Sequence, residues 1–420
     1  MLNKYQNIIQ KTNYIFFILL VCSLPFPTQF SLYAWGLWIF TWVLEGRFIH
    51  TENRYWSKGL IPIIALSILL FWELTSYFWA IHKTDASNML IRHISYVAIL
   101  PIAIYGVNNQ YNWRTIAKWF VISCIASIII YGLYLHIFQF WRYIYETHQI
   151  PSPVLKWEWF GYHISPLKHR LYYANILNLA IVTLLQIFPW KSSTHRYKKT
   201  SIAISIIALV MLAVGIAWTG SRANMLTLVL IGFVAIIQPL KGRTRIFVSI
   251  ATGLAALFFI ALIFTIHPRF DTLQVEHITE RAKYQTEHIE PRINIWYAAL
   301  QKPQDYIWHG VGVGGNTEYL KSIYNSFGWK YFYKRGYNTH NQYLGILINL
   351  GIFAAIFFSL IWLLYPLWYS GKTKHIATLF VVTIGSNMLT ENILDRIDGV
   401  IVTCVFMLVI SLLSRAQLSK

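Results

Sequence analysis

The sequence predicts an all-α polytopic membrane protein with about 12 transmembrane helices, because long apolar segments fill most of its 420 residues. Hydrophobic residues make up 56% of the chain and charged residues only 12%, which is about half the charged fraction of a typical soluble domain. The mean hydropathy is +0.47. These values exclude an ordinary soluble enzyme and indicate a chain whose helices form in lipid.

The apolar segments are placed by length, since a helix needs roughly 20 residues to cross the hydrocarbon core. The first two are short and are expected to form a hairpin bent at Pro25 and Pro27. The predicted spans are residues 13–25, 28–45, 59–80, 90–107, 114–140, 171–189, 200–218, 222–240, 245–266, 341–369, 375–390 and 397–414. The chain therefore divides into helices 1–9 in residues 1–266, a long loop in 267–339, and helices 10–12 in 340–420.

Short basic loops predict the orientation. They connect spans 2 and 3, 6 and 7, 8 and 9, and 10 and 11, and all of them lie on one side if the N-terminus lies there too. Their cations are Arg47, Arg54, Lys58, Lys191, Arg196, Lys198, Lys199, Lys241, Arg243, Arg245, Lys372 and Lys374. The positive-inside rule makes that side cytoplasmic, with both termini inside. The net charge of +19 also suits an anionic substrate or anionic membrane lipids.

Two long connections, residues 141–170 and 267–339, then lie on the outer side. Long connections in compact proteins are usually functional. The second is rich in aromatic residues, so we expect short helices on the outer surface rather than disorder. Its glycine run at 310–315 lacks the Lys-Ser/Thr ending of a phosphate-binding loop, and we interpret it as a tight backbone turn.

The cysteines give no sign of a metal or disulfide framework. Cys22, Cys124 and Cys404 lie far apart in apolar runs and are interpreted as small core residues. The predicted outer side has no dense carboxylate cluster of the metal-ligand type. We therefore expect no metal and no other cofactor, and no nucleic-acid partner.

The residues that could carry chemistry all fall on the predicted outer side. His340, Asn341 and Gln342 begin span 10, and a polar cluster at the rim of a span is typical of a functional site. Other charged candidates at helix starts, in the long loop and between spans 11 and 12 are Arg170, Arg222, Arg292, Glu391, Asp395 and Arg396.

Arginines grouped around one histidine suit a phosphate-bearing ligand, because guanidinium groups bind phosphate in bidentate fashion and stay charged when partly desolvated. Each residue alone also fits a simpler interpretation. His340 could be an interfacial polar residue, Arg222 could snorkel to lipid headgroups, and Glu391 with Arg396 could form a local ion cluster. The convergence of these residues on one face favours a binding site.

The histidine element resembles a known signature. His340-Asn341, followed after nine residues by Gly351, matches the pattern of the O-antigen ligase and polymerase superfamily of bacterial membrane glycosyltransferases. The family usually continues with Gly, Thr or Tyr where this chain has Ala354. The resemblance covers roughly the last 250 residues and the overall topology.

Two arginine elements support the same resemblance. Ser221-Arg222 is similar to the family's Ser-Arg element. Arg292 with Trp296, followed by the Gly-Val-Gly turn at 310–312, is similar to its Arg-x-x-x-Trp element. The resemblance thus implies that His340, Arg222 and Arg292 are the catalytic positions.

The resemblance implies a GT-C-like enzyme in the bacterial inner membrane, with a periplasmic active site. Its donor would be a glycan on undecaprenyl diphosphate, and its acceptor a sugar hydroxyl of lipid A–core oligosaccharide. A neutral imidazole can take the hydroxyl proton, and arginines can replace a metal at the diphosphate. We expect metal-independent transfer with inversion, and substrate contacts from Arg170, Asn341, Gln342, Glu391 and Arg396.

Three other functions compete with the ligase. A polymerase of the same superfamily would use another undecaprenyl-linked glycan as acceptor, although the histidine signature favours a ligase. A protein O-oligosaccharyltransferase would be expected to carry a further C-terminal region. A lipid-linked glycan transporter would place charges at mid-membrane, where this sequence has few besides Glu73 and Arg92.

Overall fold

The computed structural model describes residues 2–49, 56–134, 141–149, 168–187, 195–238 and 291–418, together with residue 240 and short pieces between 242 and 254. Within these ranges the regular elements are helices and no strand is present. The predicted all-α class is therefore confirmed.

Sixteen α-helices are numbered here in chain order within the described residues. They are α1 (Leu2–Ser23), α2 (Thr28–Glu45), α3 (Ile61–Ser76), α4 (Lys83–Tyr105), α5 (Trp113–Tyr134), α6 (Trp141–Thr147), α7 (Arg170–Ile187), α8 (His195–Trp218), α9 (Arg222–Ile237), α10 (Pro291–Ala299), α11 (Asn316–Ser326), α12 (Lys330–Arg335), α13 (Gln342–Leu350), α14 (Ile352–Leu364), α15 (Gly371–Met388) and α16 (Ile397–Leu418).

Six helical segments of the described chain are long and apolar enough to cross a membrane. They are Lys58–Trp79, Lys83–Tyr105, Trp113–Tyr134, Arg170–Ile187, Lys199–Trp218 and Ile397–Arg415. Two shorter apolar helices are Arg222–Ile237 and Ile352–Trp368. The chain is thus a membrane protein, while the total of 12 spans and the orientation stay predictions. The predicted span 245–266 lies largely outside the described residues.

The chain forms two compact units, each built from separate stretches of sequence. Unit 1 comprises residues 1–56, 101–257 and 375–383, and unit 2 comprises residues 57–100, 258–374 and 384–420. In unit 1, α1 packs against α2 and α5, and α7 packs against α5, α8 and α9. In unit 2, α3 packs against α13, α14 and α16.

The predicted span 341–369 is wrong as a single helix, because the helix breaks at Gly351. Gly351 has φ 86° and ends α13 just before α14 begins. A Cβ atom there would lie 2.3 Å from the carbonyl oxygen of Trp308. The left-handed backbone and the close approach both require glycine, which gives the glycine of the sequence signature a physical basis within this fold.

The short helices expected in the second outer connection are present in its described part. Helices α10, α11 and α12 share a small core with α13, in which the largest buried side chains are Tyr306, Tyr319 and Tyr324. The glycine run crosses beside it as a turn, and the Val311 N–H donates to Ile348 O at 2.8 Å. Residues 150–167 of the first connection and 267–290 of the second lie outside the described residues.

Candidate active site

The centre of the site is an imidazole–carboxylate pair in unit 2. Nδ1 of His340 lies 3.2 Å from Oε1 and 3.1 Å from Oε2 of Glu391. Because an ionised carboxylate can only accept, Nδ1 carries the proton and the lone pair is on Nε2. The His340 side chain is 25% exposed and that of Glu391 is 10% exposed. Within the described part of the chain Nε2 has no hydrogen-bond partner, so this atom is placed to accept a proton from a bound molecule.

The backbone holds His340 in an unusual conformation. Its φ is 43°, a left-handed value that is uncommon for a residue other than glycine. The His340 N–H donates to Oδ1 of Asn338 at 3.1 Å, a local turn that offsets part of the strain. Strained residues of this kind concentrate at functional sites. With this turn at His340, the imidazole faces Glu391, and α13 begins only at Gln342.

Asn341 and Gln342, both predicted as substrate contacts, use their amides within the protein. Asn341 caps α13 by accepting from Leu344 N at 3.0 Å, and its Nδ2 donates to Leu389 O at 3.1 Å. Gln342 is buried and accepts from Leu394 N at 2.7 Å, while its Nε2 donates to Oδ1 of Asp395 at 3.3 Å. Both amides therefore fasten the start of α13 to residues 389–395, a segment that we call the 389–395 turn.

Asn392 connects the residues around His340 to the 389–395 turn, although no sequence pattern had singled it out. Its Oδ1 accepts from Asn341 N at 2.8 Å and lies 2.9 Å from Oγ1 of Thr339. Its Nδ2 donates to Oδ2 of Asp395 at 2.8 Å. Asn392 and Thr339 are both buried. This network fixes the residues that flank His340 to the residue that follows Glu391.

Substitution of Gly345 by alanine is expected to destabilise the protein, because a Cβ atom there would lie 2.6 Å from Asn392 Nδ2 and 3.1 Å from Thr339 Oγ1. Overpacking of this kind costs about 1–3 kcal/mol. Thermal unfolding in detergent measures the change.

The matched control is Gly36→Ala in α2, where a Cβ atom meets nothing within 4 Å. Alanine usually stabilises a helix interior relative to glycine, so this control is expected to keep or raise the melting temperature. Equal effects of the two substitutions would contradict the close packing at Gly345.

Arg292 reaches the site from α10. Its Nε donates to Thr390 O at 3.0 Å, one residue before Glu391. One turn further along α10, Nε1 of Trp296 donates to Thr339 O at 2.9 Å, one residue before His340. The spacing of four residues puts both side chains on one face of the helix. The predicted Arg-x-x-x-Trp element thus fastens α10 to both sides of the His340–Glu391 pair.

Helix α4 holds the other side of the 389–395 turn through two charged residues. Nη1 of Arg92 donates to Asp395 O at 2.6 Å. Nε2 of His93 lies 2.8 Å from Leu394 O, and its Nδ1 lies 2.7 Å from Oε2 of Glu73. Both ring nitrogens of His93 face oxygen atoms, so this side chain connects Glu73 of α3 to the 389–395 turn.

The Asp395 carboxylate is enclosed by this network. Burial raises its pKa, and hydrogen bonds from Asn392 together with the nearby charge of His93 oppose the increase. Its Oδ2 accepts a hydrogen bond from Asn392, and its Oδ1 accepts one from Gln342. Asp395 therefore organises the turn, whereas the Glu391 carboxylate is the one that faces His340.

The remaining predicted residues lie elsewhere. Arg396 is exposed and follows the 389–395 turn. Arg170 and Arg222 begin α7 and α9 of unit 1. Nδ2 of Asn224 donates to Leu171 O at 3.2 Å, so these two helix starts are neighbours within that unit. The structure therefore groups Arg170 with Arg222 in one unit, and His340, Glu391 and Arg292 in the other.

The arrangement in unit 2 suits proton abstraction next to a phosphate-bearing group, because an oriented imidazole and a guanidinium flank the same turn. Among the described residues, no group of three or more histidine, cysteine or acidic side chains is arranged to hold a metal ion. Comparison with known families adds one match, over residues 207–359, to a family model described as O-antigen ligase. This match supports the O-antigen ligase and polymerase superfamily, which the histidine and arginine elements of the sequence resemble. No curated protein matches the chain.

The superfamily match includes Arg222, Arg292 and His340, and its members are glycosyltransferase-like enzymes. Arg170, Glu391 and Arg396 lie outside the matched residues. The carboxylate that contacts His340 thus comes from the chain beyond the matched region. The sequence did contain a signal for Glu73 and Arg92, two residues near the 389–395 turn, because both are charges within apolar segments. No such signal marked His93 or Asn392.

Proposed function

We propose that this protein is an O-antigen ligase with a GT-C-like architecture and its active site at the periplasmic face of the inner membrane. It transfers a polysaccharide from undecaprenyl diphosphate to a sugar hydroxyl of lipid A–core oligosaccharide. The superfamily match supports lipid-linked glycan substrates in general. The observation that carries the proposal is the His340–Glu391 pair with its open Nε2 atom.

The proposed base is Nε2 of His340. Glu391 holds the proton on Nδ1, which keeps the ring in the tautomer whose Nε2 lone pair can accept, and stabilises the imidazolium that forms. The acceptor oxygen attacks the anomeric carbon as its proton moves to Nε2. The bond between that carbon and the diphosphate oxygen breaks, and undecaprenyl diphosphate leaves. A single displacement of this kind inverts the anomeric configuration.

The departing diphosphate gains negative charge, which arginines are proposed to stabilise. Arg292 is the better supported of the two, because its contact with Thr390 O fixes the guanidinium beside Glu391. For Arg222 the support is the Ser-Arg pattern and its place within the matched residues. Arg170, whose helix start neighbours that of Arg222 in unit 1, is proposed as a further phosphate or lipid contact. Arg396 is proposed as an outer substrate contact because it is exposed.

A transfer assay with purified protein tests this function. Undecaprenyl-diphosphate glycan and lipid A–core are mixed with wild-type protein, His340→Ala or Arg292→Ala in detergent, and the product is separated by size. Transfer to lipid A–core by the wild type, lost in both variants, would support the ligase. Growth of the glycan on the lipid carrier would assign polymerase activity, and absence of both products would contradict glycosyl transfer.

Chelation is expected to leave transfer unchanged, because the proposed charge stabilisation comes from guanidinium groups. The initial rate is measured in EDTA and again after addition of Mg²⁺, Mn²⁺ or Ca²⁺. A rate that collapses in EDTA and recovers with one of these ions would contradict the metal-independent mechanism. Such a result would not affect the proposed identity of the donor and the acceptor.

A further inference from the structure

Beyond His340, a row of side chains leads away from the proposed base. The ring of Tyr337 lies 5.9 Å from that of His340, and the ring of Tyr331 lies 6.3 Å from that of Tyr337. The guanidinium carbon of Arg335 lies 5.5 Å from the centre of the Tyr331 ring. We call Tyr337, Tyr331 and Arg335 the tyrosine row. The proposed chemistry at His340 uses none of these three side chains.

Packing makes the row rigid on its inner side. The buried ring of Phe332 contacts Tyr331 and Tyr337 at centroid distances of 5.9 and 5.6 Å. The Tyr324 hydroxyl donates to Tyr337 O at 3.3 Å, and the hydroxyls of Tyr331 and Tyr337 lie 3.4 Å apart. Both tyrosines of the row are half-buried, so each keeps part of its surface accessible.

The outer end of the row is positively charged. Arg335 and its neighbour Lys334 are exposed, and among the described residues neither forms an ion pair with a carboxylate. Of these two neighbouring cations, Arg335 is the one that lies over a tyrosine ring, that of Tyr331. Stacking on an aromatic face fixes the plane of a guanidinium and leaves its N–H groups directed outward, where they can bind a phosphate or carboxylate with two hydrogen bonds.

These groups match one class of ligand. An aromatic ring attracts the C–H groups on the apolar face of a sugar, because the ring face is electron-rich. Tyrosine hydroxyls can donate to and accept from sugar hydroxyls, and Arg335 adds recognition of an anion. The row begins beside the ring of His340, the proposed base, and ends at a cation, so it suits an oligosaccharide with an anionic group near the reacting sugar.

We propose that the tyrosine row is the acceptor subsite and that it binds a sugar bearing a phosphate or carboxylate, adjacent to the sugar whose hydroxyl His340 activates. This inference rests on the proposed glycosyl transfer. It adds the acceptor chemistry and the residues that select it. Tyr331 and Tyr337 support the sugar rings, and Arg335 binds the anionic substituent.

Initial-rate kinetics test the subsite with lipid A–core as the variable substrate. Tyr331→Ala and Arg335→Gln are each expected to raise KM for lipid A–core about tenfold. A change of this size corresponds to the loss of one hydrogen-bonded or stacked contact. We expect kcat and KM for the undecaprenyl-linked donor to stay near wild type. An unchanged donor KM also shows that each variant is folded.

Two further variants separate specific recognition from general attraction. Lys334→Gln removes the neighbouring charge that does not stack, and it is expected to change KM for lipid A–core by less than about threefold, as for an exposed charge. Arg335→Lys keeps the charge but loses the planar guanidinium, and it is expected to behave like Arg335→Gln. Equal effects of Lys334→Gln and Arg335→Gln would overturn the assignment to Arg335.

Phosphatase-treated lipid A–core identifies the anion. If Arg335 binds phosphate, Arg335→Gln has no further effect on the treated acceptor, and if it binds a carboxylate, the effect persists. Unchanged acceptor KM in both Tyr331→Ala and Arg335→Gln, with active wild-type protein, would overturn the subsite alone. Inactive wild-type protein would instead overturn the proposed transfer, and direct binding of lipid A–core to the same variants would then still test the subsite.

Discussion

Replacement of His340 by alanine is expected to lower kcat for glycan transfer by about 100- to 10,000-fold, the usual contribution of a general base. Glu391→Gln is expected to lower it by about 100-fold or more, because a neutral amide cannot stabilise the imidazolium and can orient the ring in the wrong tautomer. KM for both substrates should change little, because in the proposed mechanism the two residues act on the proton transfer, whereas the substrate contact that the sequence predicts for Glu391 would appear as a higher KM. Initial rates in detergent measure both effects.

The control for these two variants is His82→Ala. Nδ1 of His82 lies 3.0 Å from Oδ2 of Asp85, and each side chain is 43% exposed. Substitution of this exposed residue is expected to leave kcat unchanged. A His340→Gln variant that keeps near wild-type kcat would contradict the role of His340 as general base. A Glu391→Gln variant with normal kcat would remove Glu391 from the mechanism while His340 stayed in place.

Loss of one member of the Glu73–His93 pair is expected to produce the largest change in stability. The two side chains are 4% and 3% exposed, and Nδ1 lies 2.7 Å from Oε2. Removal of one partner leaves the other buried without compensation, which costs about 3–5 kcal/mol. Glu73→Leu and His93→Leu should therefore both lower the melting temperature in detergent. They should also lower transfer activity, because His93 supports Leu394 next to the residues that hold His340.

The double variant Glu73→Leu/His93→Leu separates pairing from packing. Buried ion pairs are often replaced by apolar residues at little cost, so the double variant should be more stable than the sum of the single changes implies. Additive losses would contradict direct coupling of the two side chains. Activity that recovers with stability in the double variant would contradict a role for His93 in positioning the 389–395 turn.

Several features of the fold follow from local sequence. The apolar segments predict most of the described long helices, because an isolated backbone in lipid must satisfy its hydrogen bonds within each segment. The aromatic composition of 291–335 correctly predicts short helices, and the glycine run predicts the turn at 310–315. The break at Gly351 was missed, because residues 341–369 are apolar on both sides of it and the close approach of Trp308 O, which requires glycine there, is a tertiary contact.

The site was predictable only in part. His340 and Arg292 carry patterns of residue type and spacing, and the described structure brings both beside the 389–395 turn. Asn341 and Gln342 were chosen for their position next to His340, but their amide contacts fasten α13 to that turn. Substrate contacts by these two amides would therefore compete with the hydrogen bonds that they already form within the protein.

The sequence by itself determined the class of protein, its apolar helices and the histidine and arginine elements, because composition, hydropathy and short-range spacing act within single segments. Only the tertiary structure decided the partners. Glu391 lies 51 positions from His340, and Leu394 lies 301 positions from His93. Hydrogen bonds of about 3 Å between such distant residues depend on how helices pack, and no local pattern of residues encodes that distance.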